Sequence, residues 1–156
     1  MKIRTNFVSN SSSASFVVIK GGKYSKYTVP DLPETLIVGE YGETEFGWQQ
    51  DMYYDFYSKL NFAYLQTMNG YCDHIVHQEW YDMLEKVIKE NTNVKEIVWN
   101  ITNNWKDEEG EGYYGYIDHQ SAACEGRNIE IFDNEEKLKL FLFSDGSYIE
   151  TDNDNR

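Results

Sequence analysis

Two short stretches of this chain hold side chains that could perform chemistry. The first is Cys-Asp-His-Ile-Val-His at 72–77, which brings a thiol and two imidazoles close together, and both groups are common zinc ligands. The spacing matches no established zinc motif, because there is no Cys-x-x-Cys pair. An interhelical turn is the simpler interpretation, and the sequence predicts no cofactor. The candidate metal ligands are Cys72, His74 and His77.

The second stretch is Asp-His-Gln-Ser at 118–121. An aspartate beside a histidine can tune its protonation, and a nearby serine is a potential nucleophile. Asp118, His119 and Ser121 are therefore candidate catalytic residues of a small hydrolase-type enzyme. Adjacent residues of a strand point to opposite faces, so His119 and Ser121 are the better pair. No Gly-x-Ser-x-Gly turn surrounds the serine, and the alternative is a strand end whose polar side chains bond a loop.

A third set of residues favours binding over catalysis. A run of carboxylates comes shortly before two adjacent tyrosines. Tyrosine is enriched at protein interfaces because it combines apolar area with a hydroxyl group. The alternative is that these tyrosines simply edge the core of a small sheet. The predicted contact residues are Asp107, Glu108, Glu109, Glu111, Tyr113 and Tyr114.

The charge of the chain is strongly negative and uneven. The formal net charge is −13, with a balance of −2 in residues 1–78 and −11 in residues 79–156. Such a field repels nucleic acid and anionic membranes, and it attracts a basic protein surface. The partner predicted from charge is therefore a protein, with no direct binding of nucleic acid or membrane. The alternative is that the acidity serves solubility alone.

Length and composition predict one folded domain. The chain has 156 residues, of which 16% are aromatic, and disordered chains are poor in aromatics. We expect a single domain over 1–156 with a loose tail at 152–156. No apolar run reaches the length of a membrane span, and the start lacks the apolar core of a signal peptide. These features predict a cytoplasmic protein, which for a phage-encoded chain means the host cytoplasm.

Hydrophobic periodicity predicts the elements that position these side chains. Helical spacing predicts helices at 52–68, 77–91 and 134–143. Alternating or continuous apolar runs predict strands at 3–8, 15–19, 35–39, 94–99, 113–117, 128–132 and 147–151, with a further short strand at 24–29. This order favours an α+β single domain, with a mostly antiparallel sheet and about three helices packed on one face.

A polar serine run lies between the first two predicted strands. The segment Phe-Val-Ser-Asn-Ser-Ser-Ser-Ala-Ser-Phe at 7–16 resembles the opening of a group of small proteins from bacteriophages and Gram-positive bacteria. The segments at 45–49, 59–66, 116–121 and 151–155 add to that resemblance. It implies a phage or bacterial origin and a single fold, and it implies no activity. Ala14 departs from the all-serine form of that opening, which argues against a need for every hydroxyl.

These observations lead to two hypotheses. The leading one is a non-enzymatic, acidic, cytoplasmic protein of phage or mobile-element origin that binds a host or defence protein. Its acidic, tyrosine-rich surface would meet a basic partner, in the extreme form as a nucleic-acid mimic. The alternative is a hydrolase-type enzyme centred on 118–121. The sequence carries no signal for an oligomeric state.

Overall fold

The computed structural model describes residues 13–21, 26–47, 50–70, 72, 74–102, 112–118, 121, 123 and 126–153. The predicted strand at 3–8, most of the serine run and the acidic stretch 107–111 lie outside these residues. The described part of the chain has the predicted α+β fold, with three α-helices and a largest sheet that is antiparallel. No helix of this part is long and apolar enough to cross a membrane.

The largest sheet joins the two ends of the described chain. Its three strands are β1 (Ser13–Val18), β4 (Asp51–Tyr53) and β9 (Tyr148–Asn153), and β9 lies in the middle with an antiparallel neighbour on each side. Ser13 pairs with Asn153, and Asp51 pairs with Thr151. The last strand therefore extends two residues into the segment that was predicted to be a loose tail, because β1 supplies its hydrogen-bonding partner.

Three short pairs of strands run parallel, which the sequence did not predict. β2 (Thr35–Val38) pairs with β5 (Glu96–Trp99), β6 (Ile101–Thr102) with β7 (Tyr113–Tyr114), and β3 (Glu45–Phe46) with β8 (Tyr116–Ile117). Single residues, Asn100 and Gly115, separate β5 from β6 and β7 from β8. Tyr113 N donates to Asn100 O at 2.8 Å and Gly115 N to Thr102 O at 2.9 Å, so the three pairs join into one parallel layer.

The helices pack on the inner face of this layer. Helix α1 (Phe56–Thr67) is buried over almost its whole length, and it contacts both α2 (Gln78–Asn91) and α3 (Glu135–Phe143). Apolar side chains from all three helices meet those of the strands in one core. Its fully enclosed members include Leu36, Phe46, Leu60, Phe62, Leu84, Ile117 and Phe141.

The first predicted helix was wrong at its start. Met52 lies in β4, paired with Glu150 of β9, and α1 begins only at Phe56. Asp55 determines this boundary, because its carboxylate accepts a hydrogen bond from Ser58 N at 2.9 Å. An N-cap of this kind satisfies a backbone donor that the first turn of a helix leaves free.

Other predicted elements were also wrong in part. Residues Ile129–Phe132 form a 3₁₀ turn where a strand was predicted, and Asn128 enters it in the left-handed conformation. The segment at 39–47, predicted as a loop, contains β3. Of the described residues at 26–29, only Tyr27 forms a β-bridge, to Ser144. These are short runs in which local pattern is outweighed by tertiary contacts.

Candidate interaction surface

The three predicted metal ligands lie in the connection between α1 and α2. The Cys72 amide donates to Met68 O at 3.0 Å, and the His74 side chain is exposed. His77 Nε2 lies 2.6 Å from Asn69 Oδ1, and its ring stacks on Trp80 at 3.8 Å between centroids. Among the described residues there is no group of three or more His, Cys, Asp or Glu side chains that could hold a metal ion.

The described part of the 118–121 segment is buried. Asp118 is 7% exposed and Ser121 is fully enclosed. The Ser121 amide donates to Asp118 O at 2.8 Å, and Ser121 O accepts from Gln66 Nε2 at 3.1 Å and from Asn128 Nδ2 at 3.0 Å. His119, Gln120 and Cys124 lie outside the described residues. An enclosed serine does not reach a substrate in this conformation, so the hydrolase remains a prediction without structural support.

The predicted contact tyrosines lie on the surface. Tyr113 and Tyr114 are 40% and 41% exposed, and they form β7 beside Ile101 and Thr102 of β6. The ring of Tyr114 lies 6.0 Å from that of Tyr116. Their predicted acidic companions Asp107, Glu108, Glu109 and Glu111 lie outside the described residues.

Different carboxylates accompany these tyrosines in the structure. Glu45 of β3 is the register partner of Tyr116 of β8, and neighbouring strands place paired side chains on the same face. The loop that leads into β3 adds two further glutamates and an exposed tyrosine, Tyr41, which lies 5.3 Å from Tyr57 between ring centroids. We name the acidic tyrosine surface for its members, which are Glu40, Tyr41, Glu43, Glu45, Tyr114 and Tyr116. Tyr113 is the register partner of buried Ile101, and as the neighbour of Tyr114 in β7 it points to the opposite face.

Side chains of helix α1 hold this loop by hydrogen bonds to its backbone. Buried Asn61 accepts a hydrogen bond from Gly39 N at 3.1 Å, and its Nδ2 donates to Tyr41 O at 2.8 Å and to Glu43 O at 2.9 Å. Ser58 Oγ accepts from Glu43 N at 2.8 Å. The loop backbone is therefore fixed by side chains of the core helix, which gives the exposed groups a defined geometry.

Close packing against α1 also explains a glycine in the loop. Gly42 has a φ of +81°, and a Cβ at this position would lie 2.5 Å from Ser58 N. Only glycine adopts that conformation without strain and leaves room for the helix backbone. The loop is consequently shaped to lie directly on α1.

Tyr114 and Tyr116 lie in a negative environment. Burial, followed by the charge of Glu45, raises the pKa of Tyr114. Burial also raises the pKa of Tyr116, with Glu45, Asp118 and Glu43 as further carboxylates that add to the rise. Neighbouring Tyr53 has its pKa raised to about 12 by burial and then by Glu43 and two aspartates. These phenols therefore stay protonated at neutral pH and remain hydrogen-bond donors.

The three glutamates of the surface are not paired with lysine or arginine within the described residues. None of Glu40, Glu43 and Glu45 forms an ion pair there, and Glu43 Oε1 accepts instead from the amides of Thr44 and Glu45, both at 3.0 Å. The sequence already indicated this acidic region, although counting charge by halves missed it. Residues 27–58 hold seven Asp or Glu and no Lys or Arg, while a count over the first half alone gives only −2.

Comparison of this chain with protein-family models, with curated proteins and with solved structures found no match. Its function therefore has to be inferred from the chain's own residues.

Proposed function

We propose that this chain binds another protein, and that the acidic tyrosine surface is its contact for a basic partner. The observation that carries this proposal is the group Glu40, Glu43 and Glu45, which lacks ion pairs within the described structure and adjoins exposed tyrosines. Uncompensated carboxylates create a negative potential that speeds the encounter with a positive surface. The tyrosines supply apolar area that is buried on contact.

The architecture beneath the surface supports the same proposal. Parallel sheets usually have both faces covered. In this parallel layer the inner residues Phe46 and Ile117 are fully buried, while Tyr114 and Val98 are 41% and 39% exposed. A face of this composition is suited to being covered by a partner.

The partner that fits best is a cytoplasmic protein with a basic, nucleic-acid-handling surface. Carboxylates fixed at the surface can replace phosphates as ligands of lysine and arginine, which makes the chain a nucleic-acid mimic in the extreme case. The resemblance to phage and Gram-positive proteins favours a host or defence protein as the target.

The test is capture of partners from a Gram-positive host lysate, with identification by mass spectrometry and repeat binding with the purified partner. The double variant Glu40→Gln, Glu45→Gln removes two charges from the surface, and Glu90→Gln, Glu136→Gln removes two exposed charges elsewhere. We expect the first variant to weaken binding about tenfold or more and the second to change it less than about twofold. Equal effects of the two variants would contradict the proposal.

Salt and DNA provide two further measurements on the same complex. Affinity should fall steeply as salt rises from about 50 mM to about 500 mM, because screening shortens the reach of the field. Duplex DNA should compete with the chain for the partner where the chain acts as a mimic. A complex that is insensitive to salt would show that charge does not drive recognition.

A further inference from the structure

We propose that the acidic tyrosine surface contains a subsite for an arginine side chain, formed by Tyr114, Tyr116 and Glu45. This inference rests on the proposed function, because it names the chemical group of the partner that the surface recognises.

The three side chains project from neighbouring strands onto one face. Glu45 and Tyr116 are register partners in the β3–β8 pair, and Tyr114 lies two residues before Tyr116, so all three share the outer face. The two rings are 6.0 Å apart with planes inclined at 40°. Glu45 and Tyr114 are exposed and Tyr116 is half-buried. A carboxylate beside two tilted aromatic rings is therefore accessible from solvent.

A guanidinium group matches this arrangement better than an ammonium group does. It is planar, so it can stack on a tyrosine ring, and its donors can pair with both oxygens of a carboxylate. A cation within about 6 Å of a ring centroid gains attraction from the ring face. Lysine offers a point charge and no plane, so it would gain from Glu45 but less from the rings.

Carboxylates give the subsite a negative surrounding. The charges of Glu45, Asp118 and Glu43 each contribute to raising the pKa of Tyr116, after the larger effect of burial. Glu43 is kept in place by the amides of Thr44 and Glu45. These carboxylates provide negative charge beside the two rings, which complements the positive charge of a partner's arginine.

The experiment compares two fluorescent peptides of equal length, oligo-arginine and oligo-lysine, by anisotropy with the full chain. We expect the chain to bind oligo-arginine about fivefold or more tightly than oligo-lysine, since stacking adds to charge attraction. The variant Tyr114→Leu should remove this preference and leave oligo-lysine binding nearly unchanged. Glu45→Gln should weaken the binding of both peptides.

Matched controls separate the subsite from general effects. Tyr54 is 48% exposed and lies outside the surface, so Tyr54→Leu should leave the arginine preference intact, as should Glu90→Gln. Circular dichroism checks that each variant is folded. Equal binding of both peptides overturns the arginine subsite and leaves recognition by charge in place. Absence of binding to either peptide overturns the subsite and the proposed function together.

Discussion

The molecule has two acidic regions, and they differ in how their charge is balanced. On the face formed by α2 and α3, carboxylates pair with lysines, as in Lys86–Glu135 at 2.6 Å, Lys89–Glu85 at 2.8 Å and Lys137–Asp133 at 2.6 Å. The acidic tyrosine surface has no such pair in the described structure. The balance of −11 in residues 79–156 already includes these lysines, so the two regions differ in local pairing and not in which half carries more charge.

The two regions also differ in what fixes their side chains. The ion pairs of α2 and α3 join long, partly exposed side chains, and such pairs contribute little to stability. The loop of the acidic tyrosine surface is held by hydrogen bonds between its backbone and the buried side chains of Asn61 and Ser58. A recognition surface needs defined geometry, and here the core supplies it.

The largest expected effect comes from removing that support. Asn61→Ala deletes three hydrogen bonds to the loop backbone and should lower the free energy of unfolding by about 3 kcal/mol, at about 1 kcal/mol for each bond. Asn91→Ala on α2 deletes one bond, to Val87 O, and should cost at most about 1 kcal/mol. Urea denaturation measures both. Equal losses would mean that the loop is not held by α1.

The next effect concerns a lysine that is buried, unlike the lysines of α2 and α3. Lys59 is 2% exposed, and its Nζ donates to Ser144 O at 3.0 Å and to Ser147 O at 3.2 Å. Burial lowers the pKa of Lys59 from 10.5 to about 8, although Asp55 and Asp145 oppose this. Between these two pH values the unfolded chain holds a proton that the folded chain has released, so this group makes the free energy of unfolding rise with pH.

The full contribution of Lys59 over that window is on the order of 3 kcal/mol. Urea denaturation at pH values from about 8 to about 10 should show the rise, and Lys59→Met should remove it. Lys137→Met is the control, because this side chain is 45% exposed and bonds Asp133. A variant with the same pH dependence as the parent would show that Lys59 keeps its proton throughout.

A smaller effect should distinguish the electrostatics of the two regions. Glu43→Gln keeps the acceptor for the Thr44 and Glu45 amides but removes a charge that raises the pKa of Tyr53 and Tyr116. Both pKa values should fall, while that of Tyr81 on α2 stays unchanged. Glu85→Gln should lower the pKa of Tyr81 and leave those of Tyr53 and Tyr116 unchanged, since Glu85 contributes to the raised pKa of Tyr81. Tyrosine ring-carbon chemical shifts against pH measure each site, and identical responses to both variants would contradict this separation.

The smallest effect should come from an ion pair on α2. Glu85→Gln breaks the contact with Lys89 across one helical turn and should cost about 0.3–0.5 kcal/mol, less at high salt. Thermal denaturation at two salt concentrations measures it. A loss above about 1 kcal/mol would mean that ion pairs contribute strongly to the stability of α2.

The fold class and the long helices could be predicted because their patterns are strong and local. Helix α2 was predicted at 77–91 and is found at Gln78–Asn91, with Leu84, Val87 and Ile88 buried. Helix α3 was predicted at 134–143 and is found at Glu135–Phe143, where Asn134 accepts from Lys137 N. In both cases the apolar stripe ends close to a residue that is suited to the boundary of a helix.

Short elements could not be predicted because their conformation depends on distant partners. The apolar run Ile129–Phe132 alternates like a strand, but Asn128 bonds both Val17 N and Ser121 O and directs it into a 3₁₀ turn. Met52 fits the helical stripe of α1, yet it pairs with β9 far along the chain. The position of Glu45 beside Tyr116 escaped prediction for the same reason, since only the β3–β8 pairing brings the two residues together.

The position of β9 has a consequence for synthesis of the protein. It is the central strand of the antiparallel sheet, but it comes last among the described elements, and Lys20 beside β1 bonds a serine 127 residues later. On the ribosome, β1 and β4 emerge long before the strand that joins them. Because closing such a long loop is slow, the helices should form first, and a nascent chain that stops before Tyr148 carries two strands that lack their shared neighbour.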